Sequence, residues 1–315
     1  MYNHRVNVFV TRQIPAEGLE LLRKNCQQLE ASDSEIPLPT AQLHNGARGR
    51  DGLLIMGNDR ADAALFEAAG NQLRVISNFS VGTNNIDIAE ASRRRIIVTN
   101  TPGVLTEATA DLTWALMLTV ARRIVEGDRF ARTGKWQGWS PTQFLGTDIS
   151  GKTLGIVGAG RIGTAVAKRA AGFSMRVLTF TSRSTRADFD QLLRESDFIC
   201  VHVPLTAATK HLFSEKEFRT MKPSAYFINV ARGGVHDEAA LVKALQQGWI
   251  AGAGLDVFEE EPKIHPGLLD LENVVLLPHL GSSTTETRRR MAVMAAENLI
   301  SVLAGRPCPN MVNPL

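Results

Sequence analysis

Thr153-Leu-Gly-Ile-Val-Gly158-Ala-Gly160-Arg-Ile-Gly163 joins a buried-strand pattern directly to a helix pattern through glycines spaced G-x-G-x-x-G. Each glycine has its own physical use. Gly158 permits the tight turn, Gly160 lets a backbone approach a pyrophosphate, and Gly163 lets helix and strand pack closely. The helix that follows, Thr164 to Ala171, points free N–H groups and the positive end of its dipole at the anion. Glycine-rich turns are common, so the spacing alone is weak; the strand before it and the helix after it supply the context of a dinucleotide site.

The alternation continues on both sides of this turn. Downstream, strand-like runs near 153–157, 175–181, 198–203, 225–230, 250–256 and 273–277 alternate with helix patterns, which implies a parallel sheet covered on both faces. The segment from Thr185 to Asp197 has room for one modest helix only. Upstream, strand-like runs at 6–10, 52–56, 73–77 and 96–99 alternate with helix-like segments at 15–25, 61–69 and 86–94, Pro15 suiting a first helical turn. The last helix pattern, 284–304, ends at Gly305 with Pro307 beyond it. A chain of 315 residues exceeds what one core usually fills. The expectation is a two-domain α/β protein, with residues 1–99 and 284–315 forming the smaller domain and 100–283 the dinucleotide domain.

Between the two patterns, Thr106 to Arg122 is apolar on nearly every side at its centre and reads as a helix buried between domains or subunits. A glycine-rich loop from Gly134 to Gly146 carries Trp136 and Trp139.

With 44% apolar and 21% charged residues and a formal charge of +3, the composition is that of an ordinary soluble protein and offers no case for nucleic acid. The triplets Arg93-Arg94-Arg95 and Arg288-Arg289-Arg290 lie in or beside helix patterns and read as solvated faces. Cys26, Cys200 and Cys308 are odd in number and lack a framework spacing, which points to free thiols in a reducing, cytoplasmic compartment. Arg5-Val-Asn-Val-Phe-Val10 alternates like a strand, so no signal peptide is expected, and no apolar run reaches the roughly 20 residues of a membrane span. No metal site is expected.

Proteins that bind NAD usually carry an Asp or Glu about 20 residues beyond the glycines, for the ribose 2′-hydroxyl. Here Val177-Leu-Thr-Phe-Thr181-Ser182-Arg183-Ser184-Thr185-Arg186 has no acid, and the first is Asp188. Hydroxyls and a guanidinium suit a 2′-phosphate, so NADP(H) is preferred over NAD(H), with Arg183 the main contact and Ser182 and Ser184 assisting.

Three polar residues recur at the C-terminal ends of the later strands, where ligands of open α/β sheets bind. They are Arg232 in Asn229-Val-Ala-Arg-Gly233, Glu261 before Pro262, and His279 after Pro278. Singly, each has an ordinary structural reading. Together, in this order and with Ala253-Gly-Leu-Asp-Val-Phe258, Gly281-Ser282, Ser80-Val-Gly-Thr-Asn-Asn-Ile-Asp87 and Thr106-Glu-Ala-Thr-Ala-Asp111, they resemble the D-isomer-specific 2-hydroxyacid dehydrogenases. The resemblance spans nearly the whole chain, is weakest over residues 1–70, and is nearest to the glyoxylate/hydroxypyruvate reductase branch, which includes 2-ketogluconate reductases.

That resemblance implies a Rossmann-type doubly wound sheet plus a flavodoxin-like substrate domain, substrate in a cleft closed by a hinge, and a homodimer in which a tryptophan of the 134–146 loop reaches the neighbouring active site. It implies NADPH-preferring reduction of small 2-keto acids (glyoxylate, hydroxypyruvate, 2-ketogluconate) to D-2-hydroxy acids, with Arg232, Glu261 and His279 catalytic. His279 supplies the proton to the keto oxygen. Glu261 favours the imidazolium and fixes its orientation, and Arg232 pairs with the substrate carboxylate and polarises the carbonyl. Val81 and Gly82 offer backbone N–H groups to the carboxylate, and Ser282 lies near the substrate. The cofactor set adds Thr109, Arg161, Ile162, Pro204, Val230, Asp256 and Gly281 to the glycines and the Ser182–Ser184 turn. Asp256 either holds the nicotinamide carboxamide or caps its strand end. His236, where the family has an apolar residue, reads as a surface substitution.

Two other classes share the catalytic set. A phosphite dehydrogenase would use NAD, against which the missing acid near Thr181 argues; formate dehydrogenases have Gln in place of Glu261. A nucleotide-sensing co-repressor of the C-terminal-binding-protein type would carry a further terminal extension, whereas this sequence stops just after its final helix pattern.

Overall fold

The computed structural model describes residues 6–313, so Arg5 of the first strand pattern and the last two residues of the 284–315 segment lie outside the described residues. The chain divides into two compact units, Met1–Leu105 with Ser283–Leu315, and Thr106–Ser282.

The smaller unit holds five parallel strands: β1 (Asn7–Val10), β2 (Gln28–Ala31), β3 (Gly52–Met56), β4 (Val75–Phe79) and β5 (Ile97–Thr99). Their order is β2-β1-β3-β4-β5, the flavodoxin-like arrangement. Residues 8–10 of β1 and 53–56 of β3 are continuous apolar runs because both faces are covered, and β4 adds the buried polar side chains Ser77 and Asn78. On one face Leu22 of the Ala16–Asn25 helix and Met291, Ala295 and Leu299 of the Thr285–Leu303 helix pack on Val8, Val10, Leu54 and Val75. Those two helices cross closely at Gly18, where a Cβ would lie 2.7 Å from the Ala292 carbonyl oxygen. On the other face Leu43, Leu65 and Phe66 cover Phe9, Leu53, Ile55 and Ile76.

The larger unit holds six parallel strands: β6 (Thr153–Val157), β7 (Arg176–Phe180), β8 (Phe198–Val201), β9 (Tyr226–Asn229), β10 (Gly252–Leu255) and β11 (Val274–Leu276). Their order is β11-β10-β9-β8-β6-β7, a Rossmann-type doubly wound sheet. After β7 the single Arg186–Glu195 helix carries the chain back to pair β8 on the far side of β6. The winding direction therefore reverses at β6, and the glycine turn leaves β6 at that switch point.

The apolar Thr106–Ala121 helix is buried by its own unit: Trp114, Leu116, Met117 and Val120 lie in the core built around Ile156, Phe198, Cys200 and Ile228. Its polar edge, Glu107 and Asp111, pairs with Arg169. Among the described residues no helix is long and apolar enough to cross a membrane.

Candidate active site

The glycine turn has the geometry a dinucleotide requires. Gly158 has φ +101°, and a Cβ there would lie 2.7 Å from the backbone of His202. At Gly163, the third residue of the Arg161–Ala170 helix, a Cβ would lie 2.0 Å from the Gly158 carbonyl oxygen, so only glycine allows helix and turn to pack. Gly160 differs: a Cβ there would meet no protein atom within 4 Å. It is the helix N-cap and makes no side-chain cap bond, so the first N–H groups of Arg161, Ile162 and Gly163 are left for an anion. These features fit a dinucleotide pyrophosphate.

At the end of β7 the Ser182–Ser184 turn is tied by its own hydroxyls: Ser184 Oγ accepts from the Thr181 N–H (3.1 Å) and Thr181 Oγ1 from the Arg183 N–H (3.3 Å). Arg183 is exposed, and its guanidinium makes no ion pair among the described residues. Arg186 is occupied by Asp190 and Glu217. Asp188 is consumed as a helix cap, its carboxylate accepting from the Thr185 N–H (2.7 Å) and hydroxyl (2.8 Å). Pro204 follows β8 with its carbonyl held by Thr209, and Val230 follows β9, buried.

Arg232, Glu261 and His279 follow β9, β10 and β11 of one sheet. His279 Nδ1–H donates to Glu261 Oε2 at 2.8 Å, while Nε2 makes no hydrogen bond to a described residue. Burial opposes the charge on Glu261, yet the His279 bond and charge, the Phe258 N–H (3.1 Å to Oε1) and Arg232 outweigh it and hold the carboxyl below its ordinary range. Burial pushes the Arg232 guanidinium down, and the Glu261 charge opposes that. His279 sits at φ +57°, a left-handed conformation that non-glycine residues rarely adopt.

The backbone around His279 is held by Asp256. Its Oδ1 accepts from the Leu280 N–H (2.6 Å) and its Oδ2 from the Gly281 N–H (2.8 Å). Burial raises the Asp256 carboxyl, and the Leu280 bond and the His279 charge pull the other way. Thr109 Oγ1 donates to the Gly281 carbonyl (3.0 Å), so the Thr106–Ala121 helix also braces this loop, with Ser282 next along the chain.

Val81 and Gly82 belong to the smaller unit, on the loop after β4. Asn100 and Asn78 side chains donate to their carbonyls, each at 2.8 Å. Their own N–H groups donate to no described residue, leaving two backbone donors ready for an anion. No cluster of His, Cys, Asp or Glu among the described residues is arranged to hold a metal ion.

One expectation is corrected. His236 is at 0% exposure rather than at the surface. A 3-10 turn, Gly233–Val235, carries the chain inward after Arg232, and the His236 ring packs 5.5 Å from that of Phe227. Burial pushes its imidazole down to about 3, so it is neutral. Asn229 enters the sequence reading only as part of a motif, yet its side chain organises the Arg232 loop. A buried amide ending an apolar strand was the available signal.

A parallel sheet with a glycine turn that fits a dinucleotide at one strand end, and with an imidazole bonded to a carboxylate at two others, is the arrangement of a nicotinamide-dependent dehydrogenase. Residues 114–281 match the NAD binding domain of the D-isomer specific 2-hydroxyacid dehydrogenases. The chain is 51% identical to the glyoxylate reductase of Thermococcus litoralis, covering 97% of this chain and 96% of that one, and 50% identical to the glyoxylate reductase of Korarchaeum cryptofilum, covering 97% and 95%. Among solved structures it is similar to the NADPH-dependent glyoxylate/hydroxypyruvate reductase of Sinorhizobium meliloti in complex with NADP and malonate (TM-score 0.85, 33% identity, 98% and 97% of the two chains). It is also similar to a protein from Thermus thermophilus (TM-score 0.91, 45% identity, 98% and 100%). The chain belongs to the D-isomer specific 2-hydroxyacid dehydrogenase family, and it is an NAD(P)-dependent dehydrogenase.

Proposed function

We propose that this chain reduces small 2-keto acids, glyoxylate and hydroxypyruvate foremost and 2-ketogluconate among them, to D-2-hydroxy acids, with NADPH preferred over NADH. The observation that carries this reading is the 2.8 Å bond from His279 Nδ1 to Glu261, which fixes the ring and leaves Nε2 as the nitrogen that faces a substrate. Relatives about half identical along nearly the whole chain are named glyoxylate reductase.

When bound, the reduced nicotinamide supplies the hydride that goes to the substrate carbonyl carbon. His279 Nε2 gives its proton to the carbonyl oxygen, so no alkoxide has to persist. Glu261 holds the ring through its bond to Nδ1. Arg232 offers two parallel donors to a carboxylate and draws electron density from the adjacent keto oxygen. The free N–H groups of Val81 and Gly82 are assigned to carboxylate binding, and Ser282 to the substrate's surroundings. The pyrophosphate is assigned to Gly158, Gly160, Arg161, Ile162 and Gly163. The adenosine and nicotinamide ends are assigned to Ser182, Arg183, Ser184, Pro204, Val230, Thr109, Asp256 and Gly281.

The preference for NADPH rests on Arg183, a guanidinium without an ion pair among the described residues, and on the commitment of Asp188 to its helix cap. The test is to measure kcat/KM for glyoxylate, hydroxypyruvate and 2-ketogluconate with each cofactor, in the wild type and in Arg183→Ala. Turnover with NADPH as the better cofactor, and a KM for NADPH raised far more than that for NADH by the substitution, is the expected result. Equal effects on both cofactors contradict the NADPH assignment; no turnover with any 2-keto acid favours a nucleotide-sensing regulator.

A further inference from the structure

We infer that His236 is a positioning residue for Arg232, acting through the side chain of Asn229. The inference rests on the reading of Arg232 as the carboxylate-binding guanidinium. Asn229 ends β9, and its amide bridges the loop that follows: Oδ1 accepts from the Ala231 N–H (2.9 Å) and Nδ2 donates to the Arg232 carbonyl (2.9 Å). The second Nδ2 hydrogen goes to His236 Nδ1 at 3.0 Å.

These bonds assign the amide and the imidazole without ambiguity. A backbone N–H can only donate and a carbonyl can only accept, so Ala231 and Arg232 fix which end of the amide is oxygen. The nitrogen end then faces His236, whose Nδ1 must be the acceptor, and the ring proton sits on Nε2. Nε2 is buried and has no hydrogen-bond partner among the described residues. Such a group is costly to bury, and an apolar side chain would fill the space without that cost. What the histidine contributes is the acceptor at Nδ1.

The loop it holds has little freedom elsewhere. The His236 N–H donates to the Gly233 carbonyl (3.1 Å), and Val235 N–H to the Arg232 carbonyl (3.2 Å). A Cβ at Gly233 would lie 1.9 Å from the Phe258 carbonyl carbon, so the loop lies directly against the segment that leads to Glu261. A small displacement of the Arg232 backbone moves a long guanidinium at its far end, and misplacement by about 1 Å is worth up to roughly a hundredfold in rate.

The test compares His236→Val, which removes the acceptor, with His236→Asn, whose Oδ1 falls near the position of Nδ1. Each is made in the wild type and in an Arg232→Ala background, with glyoxylate and NADPH as the assayed pair and NADPH binding measured separately. The expected result is a loss of roughly tenfold in kcat/KM for the valine variant, about the worth of one buried hydrogen bond. The asparagine variant recovers to within about twofold, NADPH affinity is unchanged, and the valine substitution has no further effect once Arg232 is gone. An equal loss in both backgrounds, an unaffected valine variant, or an asparagine variant as impaired as valine overturns the inference. If Arg232→Ala itself keeps wild-type kcat/KM, the reading of Arg232 fails instead, and the two failures are separate. Should the valine variant not fold, nitrogen-15 NMR of the wild-type imidazole decides: protonation at Nε2 with Nδ1 bare from pH 5 to 8 supports the inference, and protonation at Nδ1 refutes it.

Discussion

His236 also bears on stability. Its imidazole falls from 6.5 to about 3 on folding, because burial disfavours the charge. Between those values the unfolded chain binds a proton that the folded chain does not, so stability rises with pH across this window and is fully present above 6.5. It is lost as the pH drops toward 3, at up to about 1.4 kcal/mol per pH unit. Urea unfolding at pH 6.5 and 4.5 should show the wild type losing about 2 kcal/mol more than His236→Asn; parallel losses would mean the ring is not held neutral by the fold. This was not legible in the sequence, where a histidine in place of the family's apolar residue reads as a surface substitution. The inward turn after Gly233 decides its burial, and that turn depends on packing against Phe258, a residue remote in sequence.

At the scale of elements, strong apolar periods were readable and weak ones were not. The runs at 52–56 and 153–157 coincide with β3 and β6 because both are buried on each face and bounded by polar turns. The run expected at 73–77 lies at Val75–Phe79 instead: Leu73 is buried, but its N–H closes a turn onto Gly70 (3.2 Å). β2 was missed because Gln28-Leu-Glu-Ala31 is a mostly exposed edge strand whose pairing with β1, not its composition, makes it a strand. The helices Thr40–Ala47 and Ile124–Arg132 were missed for similar reasons; each carries an internal glycine, and the second has no buried residue. The glycine turn yields a paired prediction. Gly163→Ala forces a Cβ to 2.0 Å from a backbone oxygen and should cost roughly 1–3 kcal/mol of stability, read as a lowered Tm. Gly160→Ala meets no protein atom within 4 Å, so its Tm should hold while NADPH binding weakens. The opposite pattern would mean that Gly160 serves packing and not a ligand.

For the molecule as a whole, the alternation of strands and helices made the parallel sheet of the larger unit and the α/β character of the smaller one legible, and the motifs at the ends of β9, β10 and β11 pointed to the candidate catalytic set. The bonds that hold those side chains were not, because Asp256 with Leu280 and Asn229 with His236 are contacts of tertiary structure. The 134–146 loop presents Trp136 and Trp139 at 61% and 85% exposure, with Leu145 also exposed. Large apolar side chains gathered on one exposed loop suit contact with another chain. We extend the proposal to a homodimer in which Trp139 contributes to substrate selection in the neighbouring subunit. Replacing Trp139 with alanine should change the ratio of kcat/KM between glyoxylate and hydroxypyruvate, and an unchanged ratio would count against that role. The most direct test is made on His279→Gln, by following glyoxylate-dependent NADPH oxidation alongside NADPH binding. The expected result is a fall in kcat of about 10²–10⁴ with binding intact; turnover near the wild-type rate would rule out His279 as the proton donor.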